Sequence, residues 1–199
     1  DANAPTNDHA RYLAPVAGGV EPRVIRSAHR LGWADARNLG LHRSRGEVTI
    51  MLDTSLEPIG DVITPLLAAF ADERVGIAGG WGVTSADGRQ FTDAPPGEVD
   101  AIESYCLAIR RAPLRAVGGF DRHFRFYRNA DLDLSFAVRS AGWVAVRTEP
   151  LPFVRHEHRG WASLPNAERD RLSRRNFYRF LEHWRDRPDL LLHPGRDGE

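Results

Sequence analysis

The sequence contains no lysine, one methionine and one cysteine among its 199 residues. With a single cysteine, Cys106, the chain cannot form an internal disulfide bond, which suits a reducing compartment. Cys106 lies in the apolar run Tyr105–Ile109, where a small buried side chain is expected rather than a nucleophile. Its 27 arginines balance its 27 acidic residues, and a chain of zero net charge has no overall field that attracts nucleic acid. We therefore expect no nucleic-acid partner.

Long apolar runs are also missing. None reaches the roughly 18 residues that a membrane span requires. Hydrophobic residues make up 42% of the chain and charged residues 27%, as in soluble globular domains. We expect a cytoplasmic protein, or one that acts at the inner face of the membrane.

Short β-rich runs alternate with helical patterns, which predicts an α/β fold with a mainly parallel sheet flanked by helices. The predicted strands are 23–26, 47–52, 75–78, 104–110 and 143–147. The predicted helices are 34–44, 59–70 with Asp61 as its cap, 113–117, 131–140 and 167–184 with Asn166 as its cap. We expect a core over residues 1–162, a C-terminal helix packed on it over 163–187 and a frayed tail over 188–199.

Asp53 is the first candidate for chemistry, since it follows the predicted strand 47–52. A carboxylate just past the end of a buried strand lies where open α/β sheets bind ligands. Ser55 stands two positions further on, so both side chains point the same way in an extended segment and could share a ligand. The alternative is a turn that caps the next helix, because Asp, Thr and Ser are common in such turns.

Asp131 is the second candidate. It opens a predicted helix after the turn Gly118-Gly119-Phe120-Asp121, and the helix dipole favours a carboxylate there. The alternative is a capping acid, with Asp133 as a solvated neighbour.

Five stretches together resemble the family 2 glycosyltransferases, in the same order along residues 1–160. They are Gly32-Trp33-Ala34-Asp35-Ala36-Arg37-Asn38-Leu39-Gly40, Asp53-Thr54-Ser55, Arg110-Arg111, Gly118-Gly119-Phe120-Asp121 and Ala130-Asp131. The resemblance implies a GT-A-type fold. It also implies that a sugar moves from a nucleotide diphosphate sugar to an acceptor hydroxyl with inversion.

The resemblance assigns a role to each matching residue. Asp131 would be the general base that takes the proton of the acceptor hydroxyl. Asp53 would bind the ribose or a divalent metal, Mg²⁺ or Mn²⁺, that neutralises the diphosphate. Asp1 would contact the nucleotide base, and Arg37 would lie near the diphosphate.

The chain departs from the family pattern in three places. Ser55 replaces the second aspartate of the Asp-x-Asp motif, and Ala130 replaces the glutamate before Asp131. The first strand-helix-strand unit of the family does not precede Asp1. We therefore expect an upstream segment, or a second copy of the chain in a homodimer, to complete the sheet beside residues 47–52.

A histidine after the last core strand completes the metal site in many relatives, and His156 and His158 are the two candidates here. Taken without that resemblance, a His-Glu-His triplet is typical of a solvated polar loop. The arginine-rich last helix could likewise face acidic lipid or a charged glycan, or simply water.

Sugar transfer to a glycan or a lipid-linked acceptor, in polysaccharide or glycolipid assembly, is therefore the predicted function. Residues 84–97 would carry the specificity. Two alternatives remain. The first is a non-catalytic GT-A-like module that binds a nucleotide, a glycan or a protein, which Ser55 and Ala130 favour. The second is metal-dependent hydrolysis centred on His156 and His158.

Overall fold

The computed structural model describes residues 24–29 and 31–194, which form an α/β fold. The helices are α1 (Trp33–Arg43), α2 (Ile63–Ala69), α3 (Arg111–Val117), α4 (Ala130–Ser140), α5 (Arg159–Ala162) and α6 (Asn166–Trp184), followed by a 3₁₀ turn (Pro188–Leu190). The strands are β1 (Val48–Leu52), β2 (Leu56–Pro58), β3 (Val75–Gly79), β4 (Gly82–Thr84), β5 (Thr92–Asp93), β6 (Gly97–Val99), β7 (Ala101–Ile102), β8 (Cys106–Arg110), β9 (Val144–Arg147) and β10 (Phe153–Arg155).

The central sheet has five strands in the order β1-β8-β3-β9-β6. The pair β3 and β9 is parallel, whereas β8 and β6 run antiparallel to their neighbours. Consequently β1, β3 and β9 point one way and β8 and β6 the other. The expected α/β sheet flanked by helices is confirmed, and within the described residues it is mixed rather than mainly parallel.

The reversed direction of β8 has a simple cause in the connection that precedes it. A parallel neighbour requires a crossover, usually a helix, that carries the chain back to the other edge of the sheet. Between β3 and β8 the chain instead forms short strands, including the small sheet β5-β4-β7, and contains no helix. It therefore enters β8 from the edge where β3 ended.

Most predicted elements are present, and six of them match the observed bounds to within one residue at each end. These six are the helices 34–44, 131–140 and 167–184 and the strands 47–52, 75–78 and 143–147. The helix predicted from residue 59 begins at Ile63, and the Asp61 carboxylate accepts the N–H groups of Ile63 and Thr64 as a cap should.

Two predictions of local structure were wrong. Residues 24–26 have no strand pairing, and residue 23 lies outside the described residues. The segment after residue 187 is not frayed as far as Leu192, because Leu190 and Leu191 are buried and the N–H of Leu192 donates to Asp100. Apolar side chains in this short segment outweigh the general tendency of chain ends to fray.

The core lies on both faces of the sheet. Side chains alternate along a strand, so Ile109 of β8 joins the larger cluster with α4 and α6, while Ala108 joins a smaller cluster with α2. Cys106 belongs to the smaller cluster and is fully buried, and burial raises the pKa of its thiol to about 11. The expectation that Cys106 is a small buried side chain is therefore confirmed.

The outer edge of β1 has no partner strand within the described residues. The Asp53 N–H donates to Tyr105 on the β8 side, and bonded positions alternate along an antiparallel pair. Thr49 and Met51 therefore face β8. The amides that face away from it belong to Val48, Ile50 and Leu52.

We expect another strand to pair with this edge in the native protein, as the family pattern predicts. The amides of Val48, Ile50 and Leu52 should then exchange slowly with deuterium, since a paired N–H must open before it exchanges. Thr49 and Met51, which bond to β8, provide the internal control. Exchange of the three outer amides much faster than that of the control amides in the complete protein would refute a completed sheet.

Candidate active site

Residues from different parts of the chain meet at the edge of the sheet where β1 and β3 end. Because β8 runs antiparallel, its beginning lies at this same edge. The N–H of Asp53, just after β1, donates to the carbonyl of Tyr105 at 2.8 Å. The N–H of Glu103 donates to the carbonyl of Trp81, just after β3, at 3.0 Å. Ligands of open α/β sheets bind at this kind of edge.

The two oxygens of Asp53 have different partners. Oδ1 accepts hydrogen bonds from the N–H and the hydroxyl of Ser55, at 2.9 and 2.8 Å. Oδ2 lies 3.5 Å from Nη2 of Arg37 and 3.6 Å from Nε2 of His158. One oxygen therefore stabilises the local turn, as the turn interpretation predicts, and the other faces the candidate site.

Arg37 pairs with one of the two predicted carboxylates and is influenced by the charge of the other. Its guanidinium group lies 3.8 Å from the ring centre of Trp33, and burial lowers its pKa to about 10 although Asp53 and Asp131 both favour the charged form. Arg37 is thus still a cation at neutral pH, paired with Asp53 and stabilised by the charge of Asp131. The predicted residues Arg37, Asp53 and Asp131 are together in the structure.

The neighbouring Asn38 has a structural task. Its side chain accepts the N–H of Phe120 and donates to the carbonyl of Phe120, at 2.9 and 2.8 Å, which ties α1 to the turn before α4. Gly119 in that turn has φ of +100°, and a Cβ there would lie 2.5 Å from Oδ1 of Asn38. The contact therefore requires glycine at this position.

Asp131 lies in the first turn of α4 and faces the start of β8. Its Oδ2 accepts the N–H of Ser104 at 2.8 Å, and its Oδ1 accepts the N–H of Leu132 at 3.1 Å. Burial raises the pKa of Asp131 above its ordinary value, against the effect of these donors. A carboxylate with a raised pKa is a stronger base, and the two donors fix its orientation.

The C-terminal helix α6 supports this arrangement from behind. The buried amide of Asn176 donates to the carbonyls of Phe126 and Arg128, both at 2.7 Å, and these residues precede α4. Asp133 is buried as well: it accepts the indole N–H of Trp184 at 2.8 Å and lies 2.7 Å from Nδ1 of His183. The alternative interpretation, in which Asp133 is solvated, is wrong on this point, because α6 covers the face of α4 on which Asp133 lies.

The two histidines proposed for metal binding are separated by the structure. His158 stacks on Tyr127 with ring centres 4.9 Å apart, and its Nε2 is the atom close to Asp53. His156 is exposed and lies 2.7 Å from Glu57 on β2, so its ring does not join Asp53. Both histidines follow strand β10, which pairs with β2. They are two positions apart, so the alternation of side chains along an extended segment puts both on the same face and does not reveal which is closer to the site.

The donor set of Asp53 and His158 fits a hard divalent cation that takes its other ligands from substrate and water. Magnesium sites commonly use one or two carboxylates together with substrate phosphates. Within residues 24–29 and 31–194 there is no group of three or more His, Cys, Asp or Glu side chains of the kind that forms an all-protein site. Asp1, the residue predicted to contact the nucleotide base, lies outside the described residues.

Glu103 is the site residue that the sequence did not reveal. It is partly buried, and burial together with the charges of Asp131 and Asp93 raises its pKa to about 7, against Arg155 and Arg128. The prediction of a strand over 104–110 gave no direction for that strand, and only the reversed direction places its beginning beside Asp53. The one hint in the sequence was that an acidic residue directly follows the buried apolar pair Ala101–Ile102.

The raised pKa of Glu103 predicts how stability depends on pH. A carboxyl whose pKa is higher in the folded state adds stability that is present below its ordinary pKa and is lost as the pH rises through about 7. Glu103→Gln, which stays neutral, should therefore raise the free energy of unfolding by about 1–3 kcal/mol at pH 8 and change it little at pH 4. Urea denaturation at both pH values measures this, with the exposed Glu73→Gln as the control. Equal stabilities of wild type and Glu103→Gln at pH 8 would contradict it.

Solved structures confirm the GT-A-type fold. GalNAc-T7, crystallised with UDP, GalNAc and Mn²⁺, superposes with a TM-score of 0.63 at 20% identity, over 84% of this chain and 38% of that protein. The mannosyltransferase PcManGT from Pyrobaculum calidifontis, in complex with GDP-Man and Mn²⁺, superposes with a TM-score of 0.60 at 18% identity, over 79% of this chain and 47% of that protein.

Two curated relatives extend the comparison to sequence. The pre-mycofactocin glycosyltransferase of Mycobacterium tuberculosis is 27% identical over 181 residues, which cover 82% of this chain and 37% of that protein. Protein y4gI of Sinorhizobium fredii, which is uncharacterised, is 26% identical over 166 residues, covering 68% of this chain and 18% of that protein. The chain spans less than half the length of either relative.

The family assignment rests on a match to a family profile. Residues 5–151 match the sequence profile of glycosyl transferase family 2, and this range contains Arg37, Asp53, Glu103 and Asp131. The chain belongs to glycosyl transferase family 2.

Proposed function

We propose that the protein transfers a sugar from a nucleotide diphosphate sugar to the hydroxyl group of a glycan or a lipid-linked acceptor, with inversion, in polysaccharide or glycolipid assembly. The observation that carries the proposal is the partly buried cation of Arg37, which pairs with Asp53 at 3.5 Å and is stabilised by the charge of Asp131. Two carboxylates and a positive charge at one edge of the sheet support the assignment of a base, a ligand for the donor and a partner for the diphosphate. Such a set suits a reaction in which a hydroxyl loses a proton and a diphosphate leaves with added negative charge.

Asp53, His158 and Arg37 form the donor side of the proposed site. Asp53 Oδ2 and His158 Nε2 would hold Mg²⁺ or Mn²⁺, which when bound would neutralise charge on the diphosphate. In the described geometry Nδ1 of His158 accepts the N–H of Trp161, so the neutral ring carries its proton on Nε2. Coordination through Nε2 requires the other tautomer, with the proton moved to Nδ1, so the Trp161 N–H would give up Nδ1 and keep its second acceptor, the His158 carbonyl, at 2.9 Å. Arg37 adds a positive charge for the diphosphate, and Asp1 remains the residue predicted to contact the nucleotide base.

Asp131 is the proposed base. Its carboxylate would take the proton of the acceptor hydroxyl while that oxygen bonds to the anomeric carbon and the bond from that carbon to the diphosphate oxygen breaks. Attack from the face opposite the leaving diphosphate inverts the anomeric centre. The N–H groups of Ser104 and Leu132 hold the carboxylate in one orientation, and its raised pKa brings its basicity closer to that needed at neutral pH.

A non-catalytic module that binds a nucleotide, a glycan or a protein is the second candidate, and two observations favour it. The hydroxyl of Ser55 donates to Asp53 Oδ1, so it does not take over the role of the charged metal ligand that the family motif has at this position. Ala130 is buried in the main core and adds no polar group to the site. If substitution of Asp131 abolishes sugar transfer but leaves nucleotide-sugar binding intact, that result favours the transferase over the non-catalytic module.

A cytoplasmic location, either free or at the inner face of the membrane, remains part of the proposal. Among the described residues, no helix has both the length and the apolar character that crossing a bilayer demands.

The first test concerns Asp131. In the complete protein Asp131→Asn should lower the rate of sugar transfer by roughly 10²-fold or more, since the amide cannot accept the proton. Binding of the nucleotide sugar, measured by calorimetry, should survive. The exposed Asp170→Asn on α6 is the matched control and should keep full activity. Transfer by Asp131→Asn at the wild-type rate would rule out this base, and absence of transfer by the wild type with nucleotide binding intact would favour the non-catalytic candidate.

The second test concerns the metal. His158→Ala should weaken Mn²⁺-dependent binding of UDP or GDP by roughly tenfold, as expected when a ligand or its support is removed. His156→Ala, two positions away and directed at Glu57, is the matched control and should have little effect. Ser55→Asp, which puts a second carboxylate beside Asp53, should lower the stability of the metal-free protein and make its stability more dependent on the metal. Nucleotide binding that ignores both EDTA and His158→Ala would indicate a metal-free site.

A further inference from the structure

An unassigned group of side chains lies next to the proposed base. The group consists of the carboxyl of Glu103 and the rings of Trp81 and Tyr105, with ring centres 5.8 Å apart. All three side chains are partly buried and partly open to solvent. Glu103 directly precedes Ser104, whose N–H binds Asp131, so the backbone fixes Glu103 beside the base.

The Glu103 carboxyl makes no side-chain hydrogen bond or ion pair with any residue in the described part of the chain. Arg128 and Arg155 influence its charge without forming such a pair. The two arginines instead lie over aromatic rings, Arg155 at 4.0 Å from the ring centre of Tyr105 and Arg128 at 5.4 Å from that of Trp161. A partly buried carboxyl without a partner is costly, and a ligand that supplies the missing hydrogen bond would remove that cost.

We propose that Glu103, with Trp81 and Tyr105, forms an acceptor subsite in which Glu103 hydrogen-bonds a second hydroxyl of a sugar acceptor, beside the hydroxyl that Asp131 deprotonates. The inference rests on the proposed transfer reaction and names the acceptor class for it. A pyranose ring has apolar C–H faces that pack on aromatic rings and a rim of hydroxyls that need polar partners. An apolar wall with one or two placed polar groups is the usual way to bind such a molecule.

The charges around the site separate this subsite from the donor side. The charge of Asp131 influences the pKa of both Arg37 and Glu103. The charges with the strongest influence on the pKa of Glu103 are those of Asp131, Asp93, Arg155 and Arg128, and Asp53 is not among them. The carboxyl of Glu103 would also repel a diphosphate, while it can exchange hydrogen bonds with hydroxyls in either protonation state, as its pKa of about 7 allows. Glu103 therefore suits the acceptor and not the donor.

Residues 84–97, predicted to carry specificity, would form one wall of this subsite, since the charge of Asp93 acts on Glu103. The segment is anchored: Phe91 packs edge-on against Phe180 with ring centres 5.7 Å apart, and the N–H of Ala94 donates to Gly82. A wall held in this way can discriminate between acceptors, because its polar groups cannot move to pair with a wrong one.

Two kinds of probe test the subsite in the complete protein. UDP and GDP with Mn²⁺ report on the donor side. A panel of methyl glycosides (glucoside, galactoside, mannoside, rhamnoside and N-acetylglucosaminide) reports on the acceptor side by saturation-transfer NMR in the presence of the nucleotide. At least one glycoside should bind, and Glu103→Ala should weaken its binding at least tenfold. Glu103→Gln, which keeps the shape and a hydrogen-bonding group, should weaken it less, and the exposed Glu73→Ala is the control.

Deoxy analogues of the bound glycoside identify the hydroxyl. One analogue should bind the wild type about tenfold more weakly than the parent glycoside does. The same analogue should bind Glu103→Ala as well as the parent does, since the carboxyl that the missing hydroxyl would contact is already absent there. The proposal is overturned if no glycoside binds, if Glu103→Ala binds the parent as the wild type does, or if every deoxy penalty is the same in both proteins. Failure of UDP and GDP to bind the wild type would instead refute the proposed transfer reaction, whatever the glycosides do.

Discussion

The antiparallel pairing of β8 with β1 and β3 is the constraint on which the site depends. It brings the first residues of β8 to the edge where β1 and β3 end, and the hydrogen bond from Asp53 N–H to Tyr105 fixes the register there. Ser104, the donor to Asp131, is thereby placed beside Asp53. A parallel β8 would carry the same residues to the opposite edge of the sheet, and the two carboxylates would have no common neighbour.

Helices on the far side of the site keep these groups in place. Asn38 of α1 holds the glycine turn through Phe120, and Asn176 of α6 holds the two carbonyls that precede α4. Both amides are buried and satisfied by backbone groups distant in sequence. Each therefore makes its hydrogen bonds only in the assembled fold, and each limits the positions that the first turn of α4 can take. The proposed base Asp131, held in this way, would need little reorganisation before it accepts a proton.

The site places charged groups where water is scarce. Burial shifts the pKa of Arg37 down and those of Asp131 and Glu103 up, so each of these groups is less easily charged than it would be in water. The mutual attraction of Arg37 and the acids compensates in part, whereas Glu103 is left without a direct partner in the described residues. Such an imbalance lowers the stability of the folded protein. It is typical of sites where a ligand supplies the missing interactions.

The sequence by itself determined the α/β class, the main elements and the family, because alternating apolar runs and the motifs around Arg37, Asp53 and Asp131 are local patterns along the chain. Only the tertiary structure decided the direction of β8, the separation of His158 from His156, the burial of Asp133 and the position of Glu103. The physical reason is that these features depend on which strand lies beside which and on which helix covers which face. Those contacts join residues far apart in the chain, and no local periodicity records them.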